Sequence, residues 1–149
     1  MKIALGCDHG GFELKTILLD LLKELEIEVN DKGCYDENAV DYPNIAFEVC
    51  EAVTKDEAEL GILVCGTGIG MSNAAGKVKG IIAALCTDPY MAKMSRLHND
   101  ANVLCLGGRV IDPELAKEIV KAWLDNEPLM DEKYIRRRKI ISDYDERRD

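Results

Sequence analysis

Leu60-Gly61-Ile62-Leu63-Val64-Cys65-Gly66-Thr67-Gly68-Ile69-Gly70 sets the reading of the whole chain. Residues 60–65 form a nearly unbroken apolar run. Such a run is short enough for a strand and suits one buried on both faces of a parallel sheet. Glycines at alternate positions follow at once, and a short helical stretch then runs to about Gly76. Strand, glycine turn and helix in that order is how a βαβ unit begins.

The same order recurs on both sides. Residues 2–7 are apolar and break at Gly6-Cys7-Asp8-His9-Gly10-Gly11, after which Leu14, Ile17, Leu18, Leu21, Leu22 and Leu25 recur at helical spacing. Residues 27–29 read as a second strand, followed by a loop with Gly33 and Asp41-Tyr42-Pro43. Pro43 suits the first turn of a helix, where its missing N–H is not needed, and Ile45, Phe47, Val49 and Val53 carry that helix to about Lys55. Residues 81–86 and 102–106 read as the fourth and fifth strands. Asp88-Pro89 and Asp112-Pro113 open the helices that end near Leu97 and Leu124. Strands and helices alternating in this way predict an α/β domain, with a five-stranded parallel sheet covered on both faces. No linker or repeat interrupts it, so one domain over residues 1–149 is expected. Residues 131–145 are polar, basic and helix-prone, and Pro128 sets them apart. Packing on a second subunit is one use for such a helix.

Bulk composition excludes several functions. With 47% hydrophobic and 32% charged residues, the chain can bury a core and stay soluble. A formal net charge of −9 disfavours general binding to nucleic acid or anionic membrane. No segment approaches the ~18 apolar residues of a membrane span, and the N-terminus reads as a strand rather than a signal peptide. A cytoplasmic location is expected. The six cysteines form no CxxC pair and only two histidines are present, so no metal site is expected. In a reducing compartment most of these thiols should be free, buried and inert.

In open α/β sheets, ligands bind outside the carboxyl ends of the strands. Those ends carry Cys7-Asp8-His9, Cys65 with its glycine loop, and Gly107-Gly108-Arg109, while His98 and Asn99 lie just before the fifth strand. The loop over residues 66–70 exposes several N–H groups, a nest suited to phosphate or an enolate-like oxyanion. Its GxGxG spacing is not the GxGxxG of a dinucleotide fingerprint. Nor is it a Walker loop: five residues separate Gly70 from Gly76-Lys77, and Val78 replaces the hydroxyl residue. A thiolate at Cys65 would be stabilised beside that nest and could serve as nucleophile or as base. The residues alone leave both roles open. In the basic cluster of the last segment, Lys133, Arg136 and Arg137 share one helical face, where they could bind phosphate or pair with nearby acids.

Taken together, five motifs resemble the ribose-5-phosphate isomerase B family, which includes the galactose-6-phosphate isomerase subunits. They are Gly6-Cys7-Asp8-His9, Asp41-Tyr42-Pro43, Cys65-Gly66-Thr67-Gly68-Ile69-Gly70, Ser95-Arg96-Leu97-His98-Asn99-Asp100-Ala101-Asn102-Val103 and Gly107-Gly108-Arg109-Val110. The resemblance implies a Rossmann-like three-layer α/β/α sandwich that interconverts ribose 5-phosphate and ribulose 5-phosphate without metal or organic cofactor. It implies a homodimer, or a tetramer, whose active sites are shared between subunits, with the C-terminal helix on the partner. Cys65 would be the base that moves a proton between carbons 2 and 1. The N–H groups of Gly66, Thr67, Gly68, Ile69 and Gly70 would hold the cis-enediolate, with Thr67 assisting at the reacting oxygens. His98 would open the furanose ring, and Asn99 would support the enediolate. Asp8 and Tyr42 would hold sugar hydroxyls, and His9, Arg109 and Arg136 the phosphate.

One branch of the family places a glutamate base just after the glycine loop; this chain has Met71 there, which cannot take a proton. The family's two arginines four apart in the last segment match Glu132 and Arg136 by ungapped count. A one-residue shift would instead pair Lys133 with Arg137. Gly76 stands where the family commonly has asparagine. Two other readings stay in play: an isomerase of six-carbon sugar phosphates (allose 6-phosphate or galactose 6-phosphate), and a phosphosugar-binding module without catalysis.

Overall fold

The apolar runs and the helical periodicities fold as their patterns predict. The structure, a computed structural model, describes residues 1–148, so Asp149, the last residue of the expected domain, lies outside it. The strands are β1 (Lys2–Cys7), β2 (Glu28–Gly33), β3 (Leu60–Cys65), β4 (Ala83–Leu85) and β5 (Val103–Gly107). The helices are α1 (Phe12–Glu24), α2 (Tyr42–Thr54), α3 (Ile69–Ala75), α4 (Pro89–Leu97), α5 (Pro113–Leu124) and α6 (Glu132–Asp145). A short 3-10 turn, His9–Gly11, joins β1 to α1. No helix among the described residues is long and apolar enough to cross a membrane.

All five strands are parallel, in the order β2-β1-β3-β5-β4. Every residue of β3, at the centre, is buried. Right-handed crossovers then dictate the layers. From β1 the chain turns outward to β2, and from β2 it crosses back to β3, so α1 and α2 fall on opposite faces. Helices α1, α4 and α5 pack on one side and α2 and α3 on the other. Leu14, Leu18, Leu21 and Leu22 of α1 and Ile119, Val120 and Trp123 of α5 close the first layer of core. Ile45, Val49, Cys50 and Val53 of α2 close the second.

Local chemistry sets the helix starts. The Asp88 and Asp112 carboxylates each accept a backbone N–H at 2.8 Å, from Met91 and Leu115, and a proline follows each cap. The two outer strands depart from the expected bounds. β2 runs on through Asn30, Asp31 and Lys32, because one side of an edge strand faces solvent and tolerates polar residues. β4 shortens because the Asn102 side-chain carbonyl takes the Ile82 N–H at 2.8 Å in place of a ladder partner.

The sheet reverses its direction of growth between β1 and β3. Their carboxyl ends, Cys7 and Cys65, therefore open the crevice where this architecture binds ligands.

Candidate active site

Three loops converge at that crevice and are stitched by backbone. The Asp8 N–H donates to the Val64 carbonyl at 3.1 Å, the Gly108 N–H to Cys65 at 2.8 Å, and the Arg109 N–H to Gly66 at 3.0 Å. Such close approach excludes side chains. A Cβ on Gly107 would lie 2.6 Å from the Thr67 carbonyl oxygen. Gly68 has φ +82°, and a Cβ there would lie 2.5 Å from Leu85 Cδ1.

The left-handed turn at Gly68 wraps the glycine loop around the Cys65 sulfur. Cys65 is only 5% exposed, and its Sγ accepts the Gly68 N–H at 3.1 Å. The Thr67 hydroxyl accepts the Ile69 N–H at 3.2 Å, so two of the loop's five donors are engaged within the loop. Those of Gly66, Thr67 and Gly70 have no protein acceptor among the described residues. Tyr42, at the start of α2, lays its ring over the end of the loop: a Cβ on Gly70 would fall 2.7 Å from the ring Cζ.

Arg109 extends along the other side of the loop, with its guanidinium 3.5 Å from where a Cβ on Gly66 would stand. It lines a cavity of about 430 Å³ together with His9, Gly10 and Gly108. His9 Nδ1 accepts the Val40 N–H at 3.3 Å. The Asp8 carboxylate, only 8% exposed, caps the 3-10 turn: one oxygen accepts the N–H groups of Gly10 (2.8 Å) and Gly11 (3.2 Å). Its second oxygen has no protein donor among the described residues.

The remaining residues singled out in the sequence lie elsewhere in the chain. His98 caps the end of α4 and stacks on Tyr134 of α6, with centroids 4.6 Å apart and planes within 12°. With Asn99, Arg137 and Arg138 it lines a separate cavity of about 210 Å³. Arg138 donates to the His98 carbonyl at 3.3 Å and to Leu129 at 2.8 Å, which ties α6 to the end of α4. Lys133 lies over the Tyr134 ring, 4.9 Å from its centroid, and Arg136 is exposed. The site residues thus fall into two groups, one around Cys65 and one around His98. The His98 contacts run to α6 and not to the Cys65 loop.

All six cysteines are free and buried. Burial pushes the Cys7 thiol up to about 12, with Cys34 adding to it, and Cys50 and Cys86 up to about 12 and about 11. Cys105 is raised by the same cause. These four remain protonated and inert at neutral pH. No group of three or more His, Cys, Asp or Glu side chains among the described residues could hold a metal ion. Sequence reasoning missed Glu13 and Glu37, which line the cavity with His9 and Arg109. Glu37 sits in a polar loop that carries no local signal. Glu13 follows the glycines of a marked turn and could have been flagged by position.

Residues 3–141 match the family model described as Ribose/Galactose Isomerase. The chain is 53% identical over 123 residues to ribose-5-phosphate isomerase B of Escherichia coli, covering 83% of each. It is 46% identical over 130 residues to a D-erythrulose-4-phosphate isomerase of Pectobacterium atrosepticum, covering 85% of this chain and 84% of that one. The fold superposes on ribose-5-phosphate isomerase B of Clostridium thermocellum with a TM-score of 0.95, at 47% identity and 98% coverage of both chains. With sequence and fold agreeing over nearly its whole length, the chain belongs to the ribose/galactose isomerase family.

Proposed function

We propose that this chain interconverts ribose 5-phosphate and ribulose 5-phosphate, with Cys65 as the base. The observation that carries the proposal is the seat of Cys65: at the sheet's switch point, under a loop with unengaged N–H donors, beside the cavity of His9 and Arg109. The Cys65 thiolate takes the proton from carbon 2 of the open-chain aldose. The freed electron pair forms the carbon 1–carbon 2 double bond, and the aldehyde oxygen becomes the enediolate oxyanion. The N–H groups of Gly66, Thr67 and Gly70 face that developing charge and act as an oxyanion hole. The thiol then returns its proton to carbon 1, while Thr67 relays a proton between the two oxygens. His9 and Arg109 hold the phosphate, and the free oxygen of Asp8 and the Tyr42 hydroxyl hold sugar hydroxyls. Arg109, joined by an arginine of the second copy, gives an acidic protein a cationic contact for an acidic substrate although Glu13 and Glu37 line the same cavity.

His98, which opens the furanose ring, and Asn99 come to this site from a second copy of the chain, with Arg136 or Arg137 adding to the phosphate contacts. The separation of the two residue groups within one chain supports a homodimer with shared sites. No metal or cofactor takes part, and six free buried thiols suit a cytoplasmic enzyme. A second reading keeps the mechanism and changes the substrate's length. The 46% identity to a D-erythrulose-4-phosphate isomerase favours trying a four-carbon sugar phosphate beside the five- and six-carbon ones. The ratios of kcat/KM decide among them.

The test is ribose 5-phosphate isomerisation in excess chelator, with the unmodified protein beside Cys65→Ala. The expected result is turnover that survives chelation and falls by about 10²–10⁴-fold in the variant. Equal turnover in both would place the base elsewhere. Turnover in neither would leave a different sugar length or a binding module.

A further inference from the structure

Lys15 is a buried cation that the proposed reaction does not use. It sits on the inner face of α1 with its side chain 2% exposed. Its Nζ donates to both Asp31 carboxylate oxygens, at 2.8 and 2.9 Å, and to the Cys34 carbonyl at 2.6 Å. All three ammonium donors are therefore used. The Tyr35 and Phe12 rings flank the charge, with centroids 5.2 and 5.8 Å from Nζ. Asp31 is fixed in turn, its Oδ1 accepting the Gly33 N–H at 2.9 Å and its carbonyl the Tyr35 hydroxyl at 3.2 Å. Replacing a buried ion pair by well-packed apolar side chains is often neutral for stability, so stability alone is a weak reason for this one. The position of this one suggests what it does instead.

We infer that Lys15 is a positioning residue for the phosphate end of the site, acting through loop 34–41 on the tautomer and orientation of His9. The inference rests on the reading of His9 as a phosphate contact. Lys15 fixes the point where the chain leaves β2. Loop 34–41 starts there, held also by the Cys34 N–H on the Cys7 carbonyl at 2.7 Å. At its far end the Val40 N–H donates to His9 Nδ1 at 3.3 Å. Between those ends, the Asp36 carboxylate and carbonyl bond only within the loop, to the Asn38 N–H and the Cys34 thiol. The loop is thus pinned at its two ends, at Cys34 by Lys15 and at Val40 by His9 and by packing on the core, so loss of the Lys15 anchor leaves the Val40 N–H held from one end only. A ring whose Nδ1 accepts carries its proton on Nε2. His9 then presents an N–H donor to the cavity it shares with Arg109, which is what an oxyanion ligand needs.

The experiment reads His9 directly. The chain has only two histidines, so ¹⁵N spectra of the imidazoles are assigned with a single His98→Asn reference. The wild type should show His9 as the Nε2–H tautomer. Lys15→Met should turn it into a mixture and raise KM for ribose 5-phosphate about tenfold, with kcat changed less than about threefold. Lys15→Met leaves Asp31 unpaired and could unfold. Lys15→Met/Asp31→Asn removes both charges, and its amide at position 31 can still accept the Gly33 N–H, so it keeps the test open. A folded variant, by circular dichroism, with the wild-type His9 tautomer overturns the inference, whether or not KM moves. So does a shifted tautomer with unchanged KM. The tautomer is read without substrate, so wild-type inactivity on ribose 5-phosphate would sink the isomerase reading and its KM arm, while the coupling of Lys15 to the His9 tautomer would still stand or fall on the spectra.

Discussion

At Gly68 one backbone angle does the work that lets Cys65 be both buried and solvated by a donor. The φ of +82° turns the Gly68 N–H onto the sulfur, and a Cβ there would run into Leu85 and the Leu106 backbone. Gly68→Ala should cost about 1–3 kcal/mol from the left-handed angle, with the Leu85 contact adding to it. Activity should fall with stability, and thermal melts beside kcat/KM would show it; a stable, fully active variant would refute the account. Gly70→Ala separates the effects, because the atom in its way is the tip of the Tyr42 ring, which can swing. That variant should fold and melt normally while KM rises, since Tyr42 no longer sits over the loop. Normal KM would remove Tyr42 from the site. These glycines and the cysteine were legible in the sequence because the chemistry and the backbone demand meet in consecutive residues. Lys15 was not legible: on a helix wheel it reads as one more solvated lysine, and only the fold brings Asp31 and Cys34 to its ammonium. Nor could spacing reveal that Asp8 spends one oxygen as a cap, since the 3-10 turn it caps has no periodicity to read.

Helices α2, α4 and α5 were legible almost to the residue from their Pro or Asp-Pro starts, and α1 from leucines recurring at helical spacing after a glycine turn. The outer strands were not, because an edge strand is only half buried and its sequence is free to be polar or short. α6 shows another kind of gap. Its existence follows from its helical propensity, yet none of its residues is buried: the Tyr134 stack and Arg138 hold its first half to the end of α4, and polar clasps hold its far end. There the Asp145 carboxylate accepts the Gly80 N–H at 2.7 Å and pairs with Arg148, while Arg148 reaches the Gly76 carbonyl at 3.0 Å. The bond from Gly80 and the Arg148 charge hold the Asp145 carboxyl below the usual carboxylate range. A folded-state value held low contributes stability at neutral pH, and that stability fades as pH falls from the ordinary carboxylate value, about 3.9, through the lower folded one. Asp145→Asn should therefore melt below the wild type at pH 7, with the gap closing as pH drops into that window. Amide exchange at Gly80 should quicken in the variant at neutral pH. A Tm gap independent of pH would mean that the carboxylate's charge contributes nothing.

Across the whole molecule, the two groups of site residues and the bare side of α6 pose one problem. Ile140, Ile141 and Tyr144 are 63%, 49% and 69% exposed on a helix otherwise rich in charge. Apolar side chains gathered on one element in this way mark an interaction surface more than a solvated one. The helix that carries them also carries Arg136 and Arg137 and stacks on His98, the residues that the Cys65 loop lacks. A two-fold dimer would cover the apolar side chains and bring one copy's His98 group to the other copy's Cys65, so both demands are met by one contact. The polar last segment suggests a partner subunit from its composition, but the sequence could suggest a shared site only through resemblance, because such a site leaves no periodicity or spacing within one chain. The consequence is measurable. Cys65→Ala and Arg136→Ala should each be nearly inactive alone. Mixed in equal amounts and allowed to exchange, they form heterodimers in which one site has lost both residues and the other has lost neither. Random assortment makes half of the dimers mixed, so activity should recover to about a quarter of the wild-type value. Recovery only on exchange, with none when the dimers are cross-linked before mixing, would tie the rescue to shared sites. No recovery after proven exchange would put both residues in the same chain's site, and the apolar side of α6 would then need a partner other than a second copy.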